Sequence, residues 1–161
     1  MTLYDTIDSP LGELLLVGDG HALTALRMGA APAPGWRRDP DRFHEAAEQL
    51  RAYFAGDLRD FEIPLAPHGT PFQQRVWAAL REIPYGTTIS YAELAATVGR
   101  PGAARAVGAA NGRNPVAVVI PCHRVIGASG TLTGYGGGLD RKRLLLDLEA
   151  GIAPLGIAPL A

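Results

Sequence analysis

The chain has 161 residues, 47% hydrophobic and 19% charged, which is enough to bury one ordinary core or two small ones and excludes disorder by composition. Its one cysteine, Cys122, excludes an intrachain disulfide framework and a zinc site built from several cysteines, and the sequence predicts neither a metal nor a cofactor. The net charge of −1 argues against a polyanionic partner only if the charge is evenly spread.

The charge is divided unevenly along the chain. Residues 1–70 carry six arginines against eleven acidic residues, a balance of −5, whereas residues 71–150 carry nine basic against five acidic residues, a balance of +4. The remaining residues are uncharged, so the two balances sum to −1. The basic second half is the candidate for binding a phosphate-rich partner, although chance asymmetry explains the same counts.

The first half is predicted to fold as short strands followed by a helix. Three apolar runs separated by turn residues predict an antiparallel meander. These runs are residues 3–7, 14–17 and 23–26. The stretch 29–40, rich in Pro and Gly, is predicted to be a loop, and a helix capped by Asp41 is predicted to follow as far as Phe54.

The chain is predicted to divide into two small domains and a tail. Residues 61–64 are predicted to form one more strand or an extended linker, and the prolines that follow mark a domain boundary. We therefore expect an N-terminal supporting domain over 1–66 and a C-terminal domain over 70–150. The apolar tail, 151–161, repeats Gly-Ile-Ala-Pro-Leu and has no predicted function. No signal peptide or membrane span is predicted, and the lone cysteine fits a cytoplasmic location.

The second half is predicted to be mostly helical. Thr70 and Pro71 start one helix, and Ser90 starts another with Glu93 at the spacing of a capping box. A third helix is predicted from about residue 103 to 110 or 111. The last two helices are short and joined by a tight turn that contains glycine, which is typical of a helix-turn-helix.

The segment after these helices is predicted to carry a strand, a loop and a last helix. Residues 116–120 form a short apolar run that predicts a strand leading into Cys122. A glycine-rich loop is predicted from 127 to 138. Asp140 is predicted to cap a helix that ends at Glu149 or Ala150.

The third predicted helix is unusual for a protein that reads DNA bases. Readers of the major groove need long polar side chains, whereas this helix is mostly alanine, with Arg105 as its only long basic side chain. Small side chains allow the close approach that a minor groove requires. A plain core helix packed through its alanines is the alternative interpretation.

Two further features suggest chemistry. Cys122 is a candidate nucleophile, with His123 as its base and Glu149 as the residue that orients the histidine. Because adjacent residues on an extended segment point to opposite sides, we expect a bridging water or a turn between Cys122 and His123. Tyr135, within the glycine-rich loop, is placed to stack on a planar ligand. An inert buried cysteine and a mobile surface loop are the alternatives.

The segment from Asn114 to Val125, which contains Pro-Cys-His-Arg-Val, strongly resembles the active-site segment of O6-alkylguanine-DNA alkyltransferases. Further matches are Phe72 to Trp77, Ile83 to Gly86, Ser90-Tyr91, Ala103 to Gly108 and Gly134 to Gly138. The resemblance is close over 70–150 and looser over 1–69. Together with the predicted elements it implies an α+β protein with a small N-terminal antiparallel sheet plus helix, and a helical, winged-helix-like C-terminal domain for DNA binding and catalysis.

The resemblance implies direct-reversal DNA repair. A methyl or larger alkyl group of O6-alkylguanine in duplex DNA is transferred to Cys122 after the base has been rotated out of the stack, with O4-alkylthymine as a further candidate substrate. The product is a thioether, so each molecule acts once. Double-stranded DNA carrying the lesion is the expected partner, and no membrane is involved. A monomer is expected, and cooperative binding along DNA is left open.

The resemblance also assigns roles to single residues. Cys122 accepts the alkyl group, and His123 acts through a water while Glu149 holds it. Asn114 orders the turn before the cysteine. Tyr91 crowds the target phosphate and donates a proton towards the purine. Arg105 enters the gap left in the DNA. DNA contacts are implied for Ser90, Tyr91, Ala104, Arg105 and Gly108, and base-pocket contacts for Tyr135, the Gly136 N–H and main-chain groups near Val125.

Two other functions are left open by the residues. A non-catalytic protein that binds the same lesion lacks the reactive cysteine, so Cys122 argues against it. A helix-turn-helix regulator needs side chains that read bases, and the alanine-rich helix does not supply them.

Overall fold

The computed structural model describes residues 1–128, 130, 132, 135 and 137–152. The strands are β1 (Leu3–Ile7), β2 (Leu14–Gly18), β3 (Leu23–Met28), β4 (Arg37–Arg38), β5 (Ile89–Ser90) and β6 (Val125–Ile126). The helices are α1 (His44–Phe54), α2 (Pro71–Arg81), α3 (Tyr91–Thr97), α4 (Ala104–Gly112) and α5 (Leu139–Glu149). Two 3-10 turns span Pro40–Phe43 and Cys122–Arg124. Within the described ranges, no helix is long and apolar enough to cross a membrane.

The predicted meander is confirmed, and the predicted α+β class with it. The sheet order is β3-β2-β1-β4, with β1, β2 and β3 antiparallel and Leu3 paired with Gly18. The expectation of a purely antiparallel sheet is wrong, because β4 pairs parallel to β1 inside the stretch predicted to be a loop. Two residues are too few to give a periodic signal. Trp36 packs beside Leu15 and Val17 on the outer sheet face and thereby holds this stretch against the sheet.

The first helix begins later than predicted. Pro40 opens the 3-10 turn, so Asp41 lies inside that turn and does not cap the helix, and α1 starts at His44. Proline favours this position because its fixed φ suits a first turn that needs no N–H donor. The apolar face of α1 is buried and consists of Ala46, Ala47, Leu50, Tyr53 and Phe54.

The starts predicted for the first two helices of the second half, α2 and α3, are confirmed. At α2, the Thr70 side chain accepts from the Gln73 N–H, and the Gln73 side chain accepts from the Thr70 N–H. Ser90 and Glu93 form the same reciprocal pair at α3. Each pair satisfies two N–H groups that have no partner within the helix. The third helix, α4, runs from Ala104 to Gly112, close to the predicted range.

Of the two alternatives predicted for residues 61–64, a strand or an extended linker, the structure has the second, and Leu23 donates to the Pro64 carbonyl there. Two predictions around the site are wrong. Residues 116–120 form a turn and not a strand, because Val118 adopts a positive φ of 72°. Asp140 lies in the first turn of α5, and the cap position is taken by Gly138 at a φ of 95°, a conformation that favours glycine.

One continuous apolar core joins the two halves. Its buried side chains include Leu14 and Leu50 from the first half, and Leu80 and Val107 from the second. Trp77 of α2 donates its indole N–H to the carbonyl of Ala110 in α4, which ties these helices together. The segment that carries Cys122 runs through this junction, so both halves contribute to its surroundings.

Candidate active site and nucleic-acid interface

Cys122 lines a cavity of about 260 Å³ between the two halves. The first half contributes Leu26, Arg27, Met28 and Ala30, and the second half contributes Asn111, Gly112, Asn114, Ala117, Cys122, Tyr135 and Gly137. Cavities that bind drug-sized molecules are typically larger, about 300–1,000 Å³, so this one suits a smaller group. Of the sequence-predicted site residues, it brings together Cys122, Asn114 and Tyr135.

The thiol of Cys122 is buried, with 6% of the residue exposed. Burial raises its pKa above the ordinary value, opposed by a hydrogen bond from the Asn114 side chain and by the nearby Lys142 charge. At neutral pH the resting group is therefore the thiol and not the thiolate. Nucleophilic attack by Cys122 then requires a base that accepts the proton.

His123 is a neutral base buried next to the cysteine. Its Nε2 lies 2.7 Å from Oε2 of Glu149. A carboxylate only accepts hydrogen bonds, so Nε2 carries the proton and Nδ1 carries the lone pair. Among the described residues, Nδ1 has no hydrogen-bond partner. Burial lowers the pKa of His123, in spite of Glu149, and so keeps the ring neutral and able to accept a proton.

The expected geometry of the cysteine and histidine is partly wrong. Cys122 and His123 begin a 3-10 turn and do not lie on an extended strand, so the rule that adjacent side chains point to opposite faces does not apply. Of the two expected features, a bridging water or a turn between Cys122 and His123, the structure contains the turn.

Glu149 is held as a carboxylate by five contacts. Oε1 accepts from Arg124 Nε at 2.8 Å and from the Gly86 N–H at 3.3 Å. Oε2 accepts from Tyr53 at 2.6 Å, from His123 at 2.7 Å and from Arg124 Nη2 at 2.9 Å. Burial alone favours the protonated acid, but the hydrogen bonds from His123, Arg124 and Tyr53 outweigh it and hold the pKa of Glu149 well below its usual range.

The side chain of Asn114 bonds to two backbone groups of the turn that precedes Cys122. Its Nδ2 donates to the Ile120 carbonyl at 2.8 Å, and its Oδ1 accepts from the Val116 N–H at 3.0 Å. These bonds close the turn in which Val118 adopts its positive φ, directly before the cysteine. The side chain therefore stabilises an unfavourable backbone conformation and also reaches the thiol.

Sequence reasoning missed four buried polar residues. They are Tyr53, Asn111, Arg124 and Lys142. Asn111 donates to the Cys122 carbonyl at 3.4 Å, and its Oδ1 is buried without a partner in the described part of the chain. Arg124 belongs to the Pro-Cys-His-Arg-Val segment and could have been found from it. Tyr53 lies 96 residues from the glutamate it binds, a separation at which no local pattern gives a signal.

Val125 lies outside the cavity lining. Its side chain is fully buried, and its carbonyl accepts from Lys142 Nζ at 2.6 Å. Tyr135 does line the cavity, and its hydroxyl is buried with no partner among the residues described. A Cβ built on Gly137 would lie 2.6 Å from Met28 Sδ and 2.9 Å from the Tyr135 ring, so this wall requires glycine. Gly134, Gly136 and residues 153–161 lie outside the described residues.

The two helices α3 and α4 pack against each other through Tyr91 and Gly108, where a Cβ on the glycine would lie 3.6 Å from the tyrosine ring. Ser90 caps α3, and Ala104 begins α4. Arg105 is exposed, whereas Val107 and other residues on the opposite face of α4 enter the core. The core interpretation of the alanine-rich helix is confirmed for one face, and the other face is an open surface of small side chains with one arginine.

Comparison with known proteins agrees with this geometry. Two family models match, described as the 6-O-methylguanine DNA methyltransferase DNA binding domain over residues 71–151 and its ribonuclease-like domain over residues 2–67. The methylated-DNA–protein-cysteine methyltransferase of Mycobacterium tuberculosis is 58% identical over 158 residues, covering 96% of each chain. The protein of that name in Methanosarcina acetivorans is 50% identical over 151 residues, covering 91% of this chain and 97% of its own.

Solved structures resemble this fold closely. The crystal structure of Mycobacterium tuberculosis OGT in complex with DNA matches with a TM-score of 0.90 at 59% identity, covering 95% of this chain and 96% of that one. An O6-methylguanine DNA methyltransferase from Methanococcus jannaschii shares the fold with a TM-score of 0.67 at 24% identity, covering 98% of this chain and 96% of that one.

Proposed function

The chain belongs to the 6-O-methylguanine DNA methyltransferase family, and on that premise we propose that it repairs DNA directly by moving an alkyl group from the O6 of guanine to Cys122. The observation that carries the proposal is a buried thiol that lines the cavity, followed directly in the chain by a neutral imidazole with an unprotonated Nδ1, whose Nε2 is hydrogen-bonded to an ionised glutamate. That arrangement supplies a nucleophile, its base and the group that orients the base.

The transfer is a displacement at the alkyl carbon. Cys122 gives its proton, through a bridging water, to Nδ1 of His123. The Nε2–H of His123 stays hydrogen-bonded to Glu149 throughout. Sγ attacks the carbon in line, and the S–C bond forms as the C–O6 bond breaks, with the electron pair passing to the guanine. The Tyr91 hydroxyl protonates the departing purine and recovers its proton from the imidazolium through solvent. The net change moves one proton from sulfur to guanine.

The thioether formed on Cys122 limits each protein molecule to one turnover. A thioether lies outside the reversible chemistry of thiols and disulfides, so reduction does not regenerate the thiol. The repaired guanine leaves and the alkylated protein remains. Each molecule therefore corrects one lesion.

Access to the O6 atom requires the base to leave the stack. We propose that α3 and α4 act as a helix-turn-helix that enters the minor groove, because the open face of α4 carries small side chains that allow close approach. Arg105 would fill the gap, and Ser90, Tyr91, Ala104 and Gly108 would line the contact with the backbone. The basic balance of residues 71–150 favours DNA binding. In this scheme 70–150 is the DNA-binding alkyltransferase domain and 1–66 its support.

The base pocket is proposed on the walls around Cys122. Tyr135 would stack on the extruded base. The main-chain contacts at Gly136 and near Val125 stay predictions, and Val125 itself lies outside the cavity lining. Activity on O4-alkylthymine, the monomeric state, cooperativity along DNA and the cytoplasmic location stay predictions.

The direct test is a stoichiometric transfer assay. We expect that incubation with a duplex containing O6-methylguanine adds the mass of one methyl-for-hydrogen exchange to each protein molecule, and that peptide mapping places the methyl group on Cys122. A duplex of the same sequence with unmodified guanine is the control. Lesion binding without a mass change would favour the non-catalytic alternative, and sequence-dependent binding that ignores the lesion would favour the regulator.

Substituting Arg105 by alanine is expected to separate base extrusion from chemistry. The side chain is exposed on α4 and is not among the described residues that line the cavity, so the thiol site should be unchanged. We expect the transfer rate from methylated duplex to fall by about tenfold or more, roughly 1.4 kcal/mol of transition-state stabilisation. The rate with free O6-benzylguanine should be retained, because no base needs to be extruded. Equal losses with both substrates would contradict this role.

A further inference from the structure

The hydroxyl of Tyr53 and the imidazole of His123 share one oxygen atom of Glu149. Tyr53 Oη donates to Oε2 at 2.6 Å, and His123 Nε2 donates to the same atom at 2.7 Å. Tyr53 is fully buried and lies on α1, in the half of the chain that the sequence treats as a support. A residue of the first half therefore contacts the same carboxylate oxygen that orients the catalytic base.

We propose that Tyr53 is a positioning residue for the alkyl transfer, which controls through Oε2 of Glu149 how strongly the carboxylate holds the proton on His123. This inference rests on the proposed function, in which His123 accepts the proton of Cys122. If Tyr53 has this role, the first half of the chain affects how His123 accepts the proton and is not only a scaffold.

The position of the hydroxyl is determined by packing. The centroid of the Tyr53 ring lies 5.2 Å from that of Phe54, 5.1 Å from that of Phe61 and 6.1 Å from that of Tyr85. Because the ring is fully buried among these aromatic neighbours, a change of rotamer would require them to move, and packing therefore keeps the hydroxyl directed at Glu149. Burial raises the pKa of Tyr53 far above its ordinary value, and the hydroxyl therefore remains a donor at every pH at which the protein is folded.

The other described donors to the carboxylate are the charged Arg124, the proposed base His123 and the Gly86 N–H, a main-chain group that a substitution does not remove. Arg124 faces both oxygens, Lys142 lies close to Cys122, and the Tyr85 ring stacks below the Arg124 guanidinium at 5.6 Å. Removing Arg124 would leave the glutamate without its ion pair. Tyr53 is neutral, so its hydrogen bond can be removed or strengthened without leaving a buried charge unpaired.

The direction of the expected change in pH dependence follows from the fact that Tyr53 and His123 donate to the same oxygen of Glu149. Each hydrogen bond that Oε2 accepts stabilises the carboxylate and weakens its attraction for the imidazolium form of His123. Without the Tyr53 hydroxyl, the carboxylate holds a proton on His123 more strongly, and His123 stays protonated to a higher pH. A protonated ring has no lone pair at Nδ1, so the reaction begins at a higher pH.

The test compares pH profiles of Cys122 reactivity in the full-length protein. In Tyr53→Phe, the pH at which reactivity reaches half of its neutral plateau is expected to rise by about 0.5 pH unit. The matched control is Tyr85→Phe, because its ring belongs to the same cluster while its hydroxyl makes no hydrogen bond to Glu149 in the described structure. The control should keep the wild-type profile.

Two reactions are measured on each protein. One is single-turnover methyl transfer from methylated duplex, and the other is alkylation of Cys122 by iodoacetamide, which requires no DNA. If methyl transfer is absent in every protein, the proposed function fails, and the iodoacetamide profiles still decide the role of Tyr53. Profiles of Tyr53→Phe that coincide with wild type, or an equal rise in Tyr85→Phe, would overturn the inference.

A second replacement guards against a folding defect in Tyr53→Phe. Site-specific incorporation of 3,5-difluorotyrosine at position 53 keeps the ring and the hydrogen bond but makes the hydroxyl a stronger donor. The half-plateau pH is then expected to fall below the wild-type value, opposite to the phenylalanine variant. A residue that serves packing alone would shift neither profile, so no shift, or shifts in the same direction, would contradict the proposal.

Discussion

Cys122→Ser is expected to abolish alkyl transfer while leaving the fold and the DNA-binding surface intact. The serine side chain is slightly smaller and fits the same buried position, whereas its hydroxyl is a far weaker nucleophile than a thiol. We expect the transfer rate to fall by at least about 10³-fold, as for removal of a nucleophile in other enzymes. Intact-protein mass spectrometry after incubation with methylated duplex DNA measures the loss directly.

The same variant shows whether binding and chemistry are separable. Arg105, on the exposed face of α4, is not among the described residues that line the cavity of Cys122, so a gel-shift assay should give near wild-type affinity for the methylated duplex. Methyl transfer that survives in Cys122→Ser, or methylation found on another residue of the wild type, would contradict the assignment of the acceptor.

Glu149→Gln is expected to have the largest effect on stability. The amide keeps the volume of the side chain but removes the negative charge that faces Arg124, of which only 5% is exposed. An uncompensated buried charge costs about 3–5 kcal/mol, so the free energy of unfolding should fall by that amount. Urea unfolding measures it. Alkyl transfer should also slow, because the uncharged amide oxygen accepts from Nε2–H of His123 more weakly than the carboxylate does and stabilises the imidazolium less.

Glu48→Gln is the matched control for this change. Glu48 and Arg51 form an ion pair of 2.7 Å, but more than half of each side chain is exposed, so water compensates for most of the loss. We expect the free energy of unfolding to change by no more than about 0.5 kcal/mol. Equal effects at both positions would show that the buried pair makes no special contribution.

The pH dependence of the Glu149 effect has a definite sign. The pKa of Glu149 is depressed in the folded protein, so its contribution to stability is fully present above the ordinary pKa of about 4.5 and is lost as the pH falls below that value. The stability difference between wild type and Glu149→Gln should therefore be largest near neutral pH and shrink in acid. A constant difference across the acid range would show that the carboxylate is not preferentially stabilised by folding.

Local signals predicted the starts of α2 and α3 correctly. A capping box depends on two side chains three residues apart, so Thr70 with Gln73 and Ser90 with Glu93 are readable without knowledge of the fold. The 116–120 strand failed for the opposite reason. A run of apolar residues is compatible with a strand or a buried turn, and the bonds of Asn114 that decide for the turn do not appear in hydropathy.

The sequence by itself determined the family, through the motif around Cys122, and the residues that could act as nucleophile, base and orienting acid. Only the tertiary structure decided their protonation. The thiol is protonated and the imidazole neutral because both are buried, and the glutamate is ionised because Arg124 and Tyr53 bind it from 25 and 96 residues away. Burial and long-range contacts set a pKa, and neither is encoded in the neighbouring residues of the chain.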